Sequence, residues 1–393
     1  MINAYKKLKK ELNIELENIL NYWTNNSIDA AFGGFLGKRD HYNNAVEKAS
    51  KGIILNTRIL WSFSAASNYL KTEKHKEICE RAYQYLNDFF KDEVNKGVFW
   101  ELDYLGNPIN KRKQVYAQSF TIYALSEYYV FTKNEEAKKW AIDIFSLIEK
   151  YAKDNVNKGY FEAFNEDWSA IKDMRLSDKD MNASKTMNTH LHILEAYTAL
   201  LKIDDNQQVK ASLKMLVEVF LHKFLNNENH YELFFDDEWN LLSNTISYGH
   251  DIEAAWLLIE AAKLIDDEEI LHQTKKLALK VADTFLVEAI DKKGAVINEK
   301  NRSTNHLDLD RHWWPQVEAL VGLKYANDLK NDEKYINASL KIWEFTKAYL
   351  IDKKNGEWFF RIDKNENVYT NEDKISMWKA PYHTTRACII LNS

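Results

Sequence analysis

Proline and glycine are scarce, at 3 and 11 in 393 residues. Linkers and low-complexity segments draw on both, and no Ser/Gly-rich or Pro-rich stretch interrupts the chain. A length that would ordinarily suggest two or three domains therefore reads as one domain over 1–393. Cysteine is scarcer still: Cys79 and Cys388 stand alone and far apart, which excludes a disulfide framework and any cysteine zinc spacing. Charge of one sign is lacking too. The net charge is −6 from 53 basic and 59 acidic residues, with no basic stripe, which argues against nucleic acid as a partner. No apolar run is long enough to span a bilayer, and none follows the Lys-rich start Met1 to Lys10. Neither a membrane helix nor a leader is expected, and the expected location is the cytoplasm.

What is present is apolar, aromatic and periodic. Hydrophobic residues make up 45% and aromatic residues 13%, enough for a large core with flat faces to spare for sugar rings. Helices that are apolar on nearly every side are expected from about Gly52 to Tyr69, Val115 to Phe131, Thr186 to Leu201 and Asp251 to Ile265, then after Trp313-Trp314 and from near Tyr382. Between them lie amphipathic helices, such as those from about His75 to Val94 and Glu135 to Ala152, with apolar residues at the spacing of a surface helix. Each pair ends in a short aromatic segment, among them Gly97-Val-Phe-Trp-Glu101, Gly159-Tyr-Phe-Glu-Ala163 and Gly356-Glu-Trp-Phe-Phe360. The period is roughly 62 to 70 residues and the total about twelve helices. An all-α (α/α)6 barrel follows, with buried helices in an inner ring, amphipathic ones in an outer ring, and short β-hairpin segments between units. An open solenoid would leave its concave face apolar.

Polar residues interrupt the inner helices near their starts, at equivalent places in the six units: Arg58, Tyr116, Asn188 with His192, His250 with Glu253, Trp313 and Trp314 with Glu318, and Trp378 with His383. Equivalent ends of inner helices converge on one mouth, so these residues outline a pocket. The stretch around Ser247-Tyr-Gly-His-Asp-Ile-Glu253 is its clearest wall, with His250 and Glu253 three residues apart on one side and Glu253 placed to hold the imidazole. Asn188, His192 and Glu195 have a spacing that could bind metal, but there is no H-E-x-x-H, and no metal is expected. His190 should point away from His192, and His312 abuts the Trp pair.

The stretches Asn56-Thr-Arg58, Met187-Asn-Thr-His-Leu-His-Ile-Leu-Glu-Ala196, Gly249-His-Asp-Ile-Glu-Ala-Ala-Trp256, Trp313-Trp-Pro-Gln-Val-Glu318 and Trp378-Lys-Ala-Pro-Tyr-His383 resemble the N-acylglucosamine 2-epimerase superfamily, and within it the cellobiose 2-epimerase branch. The resemblance implies an (α/α)6 barrel that inverts C2 of the reducing sugar of a β-1,4-linked disaccharide, cellobiose to glucosyl-mannose, without a cofactor. His250 and His383 would be the acid/base pair. His192 would assist near C1, and Arg58 would bind the enediolate. Tyr116, Asn188, Glu253, Trp313, Trp314, Glu318 and Trp378 would line the sugar subsites. The chemistry suits the residue types, since two groups titrating near neutrality must remove and return one proton while a fixed cation offsets an oxyanion. The alternatives are a 2-epimerase of mannobiose, mannose or N-acylglucosamine, a glycoside hydrolase using Glu253 and Glu318, and a sugar-binding barrel. A small sugar is the expected partner and a monomer, or else a homodimer, the expected state.

Overall fold

The computed structural model describes residues 2–393. Among them run twelve α-helices: α1 (Ile2–Asn26), α2 (Ile53–Leu70), α3 (Lys76–Tyr85), α4 (Val115–Thr132), α5 (Glu135–Leu147), α6 (Met187–Ile203), α7 (Gln207–Val219), α8 (Tyr248–Ala262), α9 (Glu268–Glu288), α10 (Trp313–Lys330), α11 (Glu333–Tyr349) and α12 (Tyr382–Asn392). Even-numbered helices form a closed inner ring: α2 packs on α4, α4 on α6, α6 on α8, α8 on α10, α10 on α12 and α12 back on α2. Odd-numbered helices pack outside, with α1 returning to cover α12. This is the (α/α)6 barrel. The inner helices are buried on nearly every side, as in Ile53 to Ser67 of α2, because they meet neighbours both along the ring and outside it. The outer α3 buries only Ile78, Cys79, Ala82 and Tyr85, the single stripe its sequence supplies. No helix among the described residues is long and apolar enough to cross a membrane.

The aromatic segments form the short hairpins between units. Each is bridged once across a tight turn, Ile28 with Phe35, Lys91 with Val98, Lys153 with Tyr160, Leu225 with Tyr231, Ile290 with Val296 and Ile351 with Trp358, and in three of them a strand begins, at Glu101–Leu102, Ala163–Phe164 and Phe234–Phe235. The true strands are two or three residues long. They pair the stretch before one inner helix with the stretch after the next hairpin, as Lys113–Gln114 pairs with Ala163–Phe164. A bridge between Arg39 and Ile375 completes that circuit. The outer helices α3, α5 and α7 also stop earlier than their amphipathic pattern. Each passes into a wider π turn, over Leu86–Phe90, Ile148–Ala152 and Phe220–Phe224, which lets the chain drop into the hairpin.

Two repeated devices hold the inner helix starts level. In the first, the carboxylate of an aspartate in the hairpin turn accepts from the turn's backbone amides and pairs with a buried base ahead of the next inner helix. Asp92 Oδ1 accepts from the amides of Val94 and Asn95, while Oδ2 meets Lys113 Nζ at 2.6 Å. Asp29 and Lys51, Asp154 and Lys185, Asp291 and Arg311, and Asp352 and Lys374 repeat the pair at 2.8, 2.6, 2.5 and 2.7 Å. Burial holds the Lys113 ammonium below its ordinary range, while Lys113 and the turn amides hold Asp92 low against burial. Such pairs set register more than they add net stability, but losing one partner would cost about 3–5 kcal/mol. In the fourth unit Asn226 occupies the turn position, and the buried charge pair is His230 with Asp251 at 2.7 Å.

In the second device, the fourth residue of an inner helix grips the backbone of the preceding hairpin. Gln118 clamps both the N–H and C=O of Val98, and Gln316 does the same to Val296. His190 Nε2 accepts the amide of Tyr160 at 2.9 Å while Nδ1 sits 2.7 Å from Thr186 O, and Asp251 accepts the amide of Tyr231. His190 does point away from His192, into the wall, and burial takes its pKa down to about 3.

Candidate active site

With the fourth residue turned outward, the second and sixth share the opposite face of an α-helix. The sixth residues of α2, α4, α6, α8 and α10 are Arg58, Phe120, His192, Glu253 and Glu318. The second residues include Tyr116, Asn188 and Trp314. Arg58, Tyr116, Asn188, His192, Glu253, Trp314 and Glu318 therefore follow from one register, which the helix starts set.

One residue organises this layer. Arg386, in α12, is 2% exposed and donates to three glutamates from three helices. Its Nη1 bonds Glu195 and the Tyr382 hydroxyl, and its Nη2 reaches Glu253 at 2.5 Å and Glu318 at 2.7 Å. The guanidinium also lies over the rings of Trp256 and Tyr382, at 4.8 and 4.4 Å from their centroids. Two of the glutamates hold histidines in turn. Glu195 Oε2 accepts from His192 Nδ1 at 3.0 Å, and Glu318 Oε1 from His383 Nδ1 at 2.8 Å. An ionised carboxylate only accepts, so each ring carries its proton on Nδ1 and presents a basic Nε2. Burial pushes the Glu195 carboxyl up, but Arg386 and then His192 outweigh it and bring it down to about 2. For Glu318 burial wins over Arg386 and the pKa is raised. Burial also lowers both imidazoles, His383 strongly, keeping them neutral.

His250 is arranged differently from the sequence expectation. Its Nδ1 is 2.8 Å from Ser247 Oγ, and Glu253 belongs to Arg386 instead. As third residue of its helix, His250 leans back toward the residue ahead of the helix, whereas Glu253 as sixth points to the axis. A hydroxyl can give or take a hydrogen bond, so it admits either tautomer of His250. Burial takes this imidazole down to about 4. Both His250 and His383 lie against one indole: Trp314 is 4.8 Å from the first ring and 5.5 Å from the second, centroid to centroid. Gly249 makes room for it. A Cβ there would stand 2.4 Å from Trp314 Cη2, so the helix can pass the indole only without one.

Arg58 is buried beside Tyr116, with Nη2 donating to its hydroxyl at 2.9 Å and Nη1 to the Trp378 carbonyl at 3.2 Å. Its Nε has no protein partner among the described residues. The Phe120 and Tyr382 rings cover the guanidinium at 4.6 and 5.1 Å, and Tyr116 and Phe120 pack against His192 at 4.9 and 4.6 Å. Asn188 is half-buried with its Oδ1 unpartnered. The Trp378 ring is 6.0 Å from those of Tyr116 and Trp100. Trp313 is the outlier. It touches His383 edge-on at 6.3 Å but packs mainly on Phe360 and under the buried Lys379 ammonium, as part of the wall. His312 stands half-buried near Phe360, and burial takes it down to about 4.

Two other chemistries fit this geometry poorly. Ligand atoms of Glu253, Glu318 and His383 come within 4.8 Å of one another, close enough for a metal ion. The Arg386 guanidinium already bonds both carboxylates, so a dication would have to displace it. A hydrolase would need two carboxyls across a scissile bond, about 6.5–9.5 Å apart when inverting. Glu253 and Glu318 instead converge on the same nitrogen of Arg386.

Sequence reasoning missed Arg386, Tyr382, Phe120 and Ser247. Arg386 did leave a trace: it is the one Lys, Arg, Asp or Glu in α12.

Comparison with known proteins shows the family. The family model described as N-acylglucosamine 2-epimerase (GlcNAc 2-epimerase) matches residues 34–387. A cellobiose 2-epimerase of Bacteroides fragilis is 41% identical over 386 residues, covering 98% of each chain. One from Dictyoglomus turgidum is 38% identical over 392 residues, again with 98% of each chain. The structure of the cellobiose 2-epimerase from Bacillus thermoamylovorans superposes with a TM-score of 0.94 at 35% identity, covering 98% of both chains.

Proposed function

Because the chain belongs to the N-acylglucosamine 2-epimerase family, we propose that it inverts C2 of the reducing sugar of cellobiose, giving glucosyl-mannose, with no cofactor consumed. The observation that carries this reading is the pair His250 and His383 against one indole, each imidazole with its own Nδ1 partner. Once the sugar ring opens, C1 is a carbonyl and the C2 proton becomes acidic. One neutral imidazole removes it through Nε2, leaving an enediolate. Rotation about C2–C3 turns the other face of C2 to the second imidazole, which returns a proton. Such general acid–base steps contribute roughly 10²–10⁴ each. Glu318, and Ser247 on the other side, steady the imidazolium each step creates.

Arg58 takes the charge that grows on O1 and O2. It is permanently cationic and planar, and part of its fork is free of protein partners. Oxyanion donors of this sort are worth about 2.7–4 kcal/mol in mutational tests. His192, held by Glu195, moves a proton at O1 during ring opening. Trp314, Trp378, Tyr116 and Asn188 line the sugar, while Glu253, Glu318 and Trp313 act behind it. The same reading takes 1–393 as one catalytic domain, cytoplasmic and monomeric or homodimeric.

The test is incubation with cellobiose in heavy water, followed by NMR and mass spectrometry. Glucosyl-mannose should appear with deuterium at C2 and the glycosidic bond intact. Free glucose without deuterium at C2 would overturn the proposal in favour of hydrolysis.

A further inference from the structure

The inner ring has a second opening at the end opposite the candidate site. There the last turns of the inner helices enclose a cavity of about 460 Å³, within the roughly 300–1,000 Å³ of small-molecule sites. Its walls include Trp61 and Asn68 from α2, Tyr123 and Glu127 from α4, Glu260 from α8 and Tyr325 from α10. Glu195 and Arg386 line it as well, so the ion cluster behind the histidines also forms the floor of this cavity. No step of the proposed reaction uses the space.

Its lining carries Glu127, Glu195 and Glu260 together with the cations Lys202 and Arg386. Trp61 and Tyr123 stack at 5.1 Å and 14°, and the Trp61 indole N–H, in a side chain 5% exposed, has no protein partner. Glu195 is matched by Arg386, and Glu260 by Lys263 at 2.7 Å and Lys202 at 3.8 Å. Glu127 is different. It accepts from Asn68 Nδ2 at 2.6 Å but has no basic side chain within 4 Å among the described residues. Burial pushes its carboxyl above the ordinary range, and Asn68 and then Lys202, on the same cavity wall, offset that only in part. The inner helices also bring their C-terminal carbonyls to this end, where the helix dipole favours positive charge. A carboxylate without a direct ion-pair partner, aromatic faces and helix C-termini together select a cation with an apolar body.

We infer that the far-end cavity binds a small organic ammonium ion, with Glu127 as its counter-charge and Trp61 and Tyr123 against its apolar part. The site takes part in no step of the epimerase reaction, although it shares Glu195 and Arg386 with the cluster behind the histidines. A neutral ligand such as a sugar would leave Glu127 unmatched.

The test is calorimetric titration of the full chain with 2-phenylethylammonium and with its neutral isostere 2-phenylethanol. The ammonium should bind at least about tenfold more tightly, the size of one hydrogen bond to a charged group. Glu127→Gln should bring the two ligands level. Ala199→Trp, which fills the cavity from α6, should abolish binding of both. Circular dichroism and the unfolding midpoint check that each variant folds, and should Ala199→Trp not fold, Glu127→Gln decides alone. Equal affinity of the wild type for both ligands, no binding of either, or ammonium binding that survives Glu127→Gln or Ala199→Trp would overturn the inference.

Discussion

Replacing Arg386 by methionine keeps an unbranched apolar stem and removes the guanidinium with its charge. Three glutamates then lose the cation they share, in a place where Glu253 and Glu318 are 1% and 0% exposed as side chains. Leaving a buried charge without its partner costs about 3–5 kcal/mol, a large fraction of the roughly 5–15 kcal/mol by which domains are stable. For a chain of 393 residues, unfolding entropy near 60 °C is about 0.8 kcal/mol/K. The unfolding midpoint should therefore fall by about 4–6 °C in scanning calorimetry at a fixed scan rate. The control is Lys214→Met, which removes a surface pair with Asp267 at 2.8 Å. It should move the midpoint by less than about 1 °C, because exposed pairs contribute roughly 0–1 kcal/mol. Turnover should fall with Arg386→Met even well below the midpoint, since Glu195 and Glu318 would no longer be anchored where they hold His192 and His383. A midpoint within 1 °C of wild type, or turnover near the wild-type level, would refute the view of Arg386 as the anchor of the site.

His250→Ala and His383→Ala should each lower kcat on cellobiose by about 10² or more with the fold intact by circular dichroism. More than a tenth of the rate surviving in either would remove that residue from the acid/base pair. Arg58→Lys should be nearly as damaging as Arg58→Ala, because lysine keeps the charge and loses the planar fork; full activity in the lysine variant would refute it. Burial lowers His250 to about 4, so this base stays neutral as pH falls through 6.5 and is protonated only near 4. The acid limb of kcat/KM, read in short assays, should lie near 4 to 5 rather than at 6.5, and a limb at 6.5 would contradict the burial argument. Chelator-treated enzyme should keep its rate, with elemental analysis finding no stoichiometric metal; a metal whose removal stops turnover would instead make ligands of Glu253, Glu318 and His383.

The barrel was legible because its signal is redundant. Six apolar helices alternating with amphipathic ones need no knowledge of loops to suggest two rings, and one register carried Arg58, His192, Glu253 and Glu318 to one layer. The rest depended on contacts that no local pattern encodes. Arg386 meets Glu195, Glu253 and Glu318 across 191, 133 and 68 residues of chain. Nothing in the apolar last helix says which partners a lone arginine will find. Glu253 was given to His250 because both lie on one stretch, yet the turn of the helix sends them to different neighbours. The pairs of a turn aspartate with a buried lysine or arginine were readable in principle. Separations of 22, 21, 31, 20 and 22 residues recur in five units, and they pass unnoticed when aspartate in a turn looks like ordinary turn chemistry.

The closed circuit of helices and strands constrains how such a protein can change. An open solenoid tolerates gain or loss of a module so long as its two ends stay capped. Here α12 meets α2 and Ile375 meets Arg39, so no module is terminal and none is dispensable. Deleting one helix pair would bare two apolar flanks at once, and inserting one would break the layer that converges on Arg386. Copy number is therefore frozen at six, and diversification is left to the hairpins around the rim and to single substitutions along the axis.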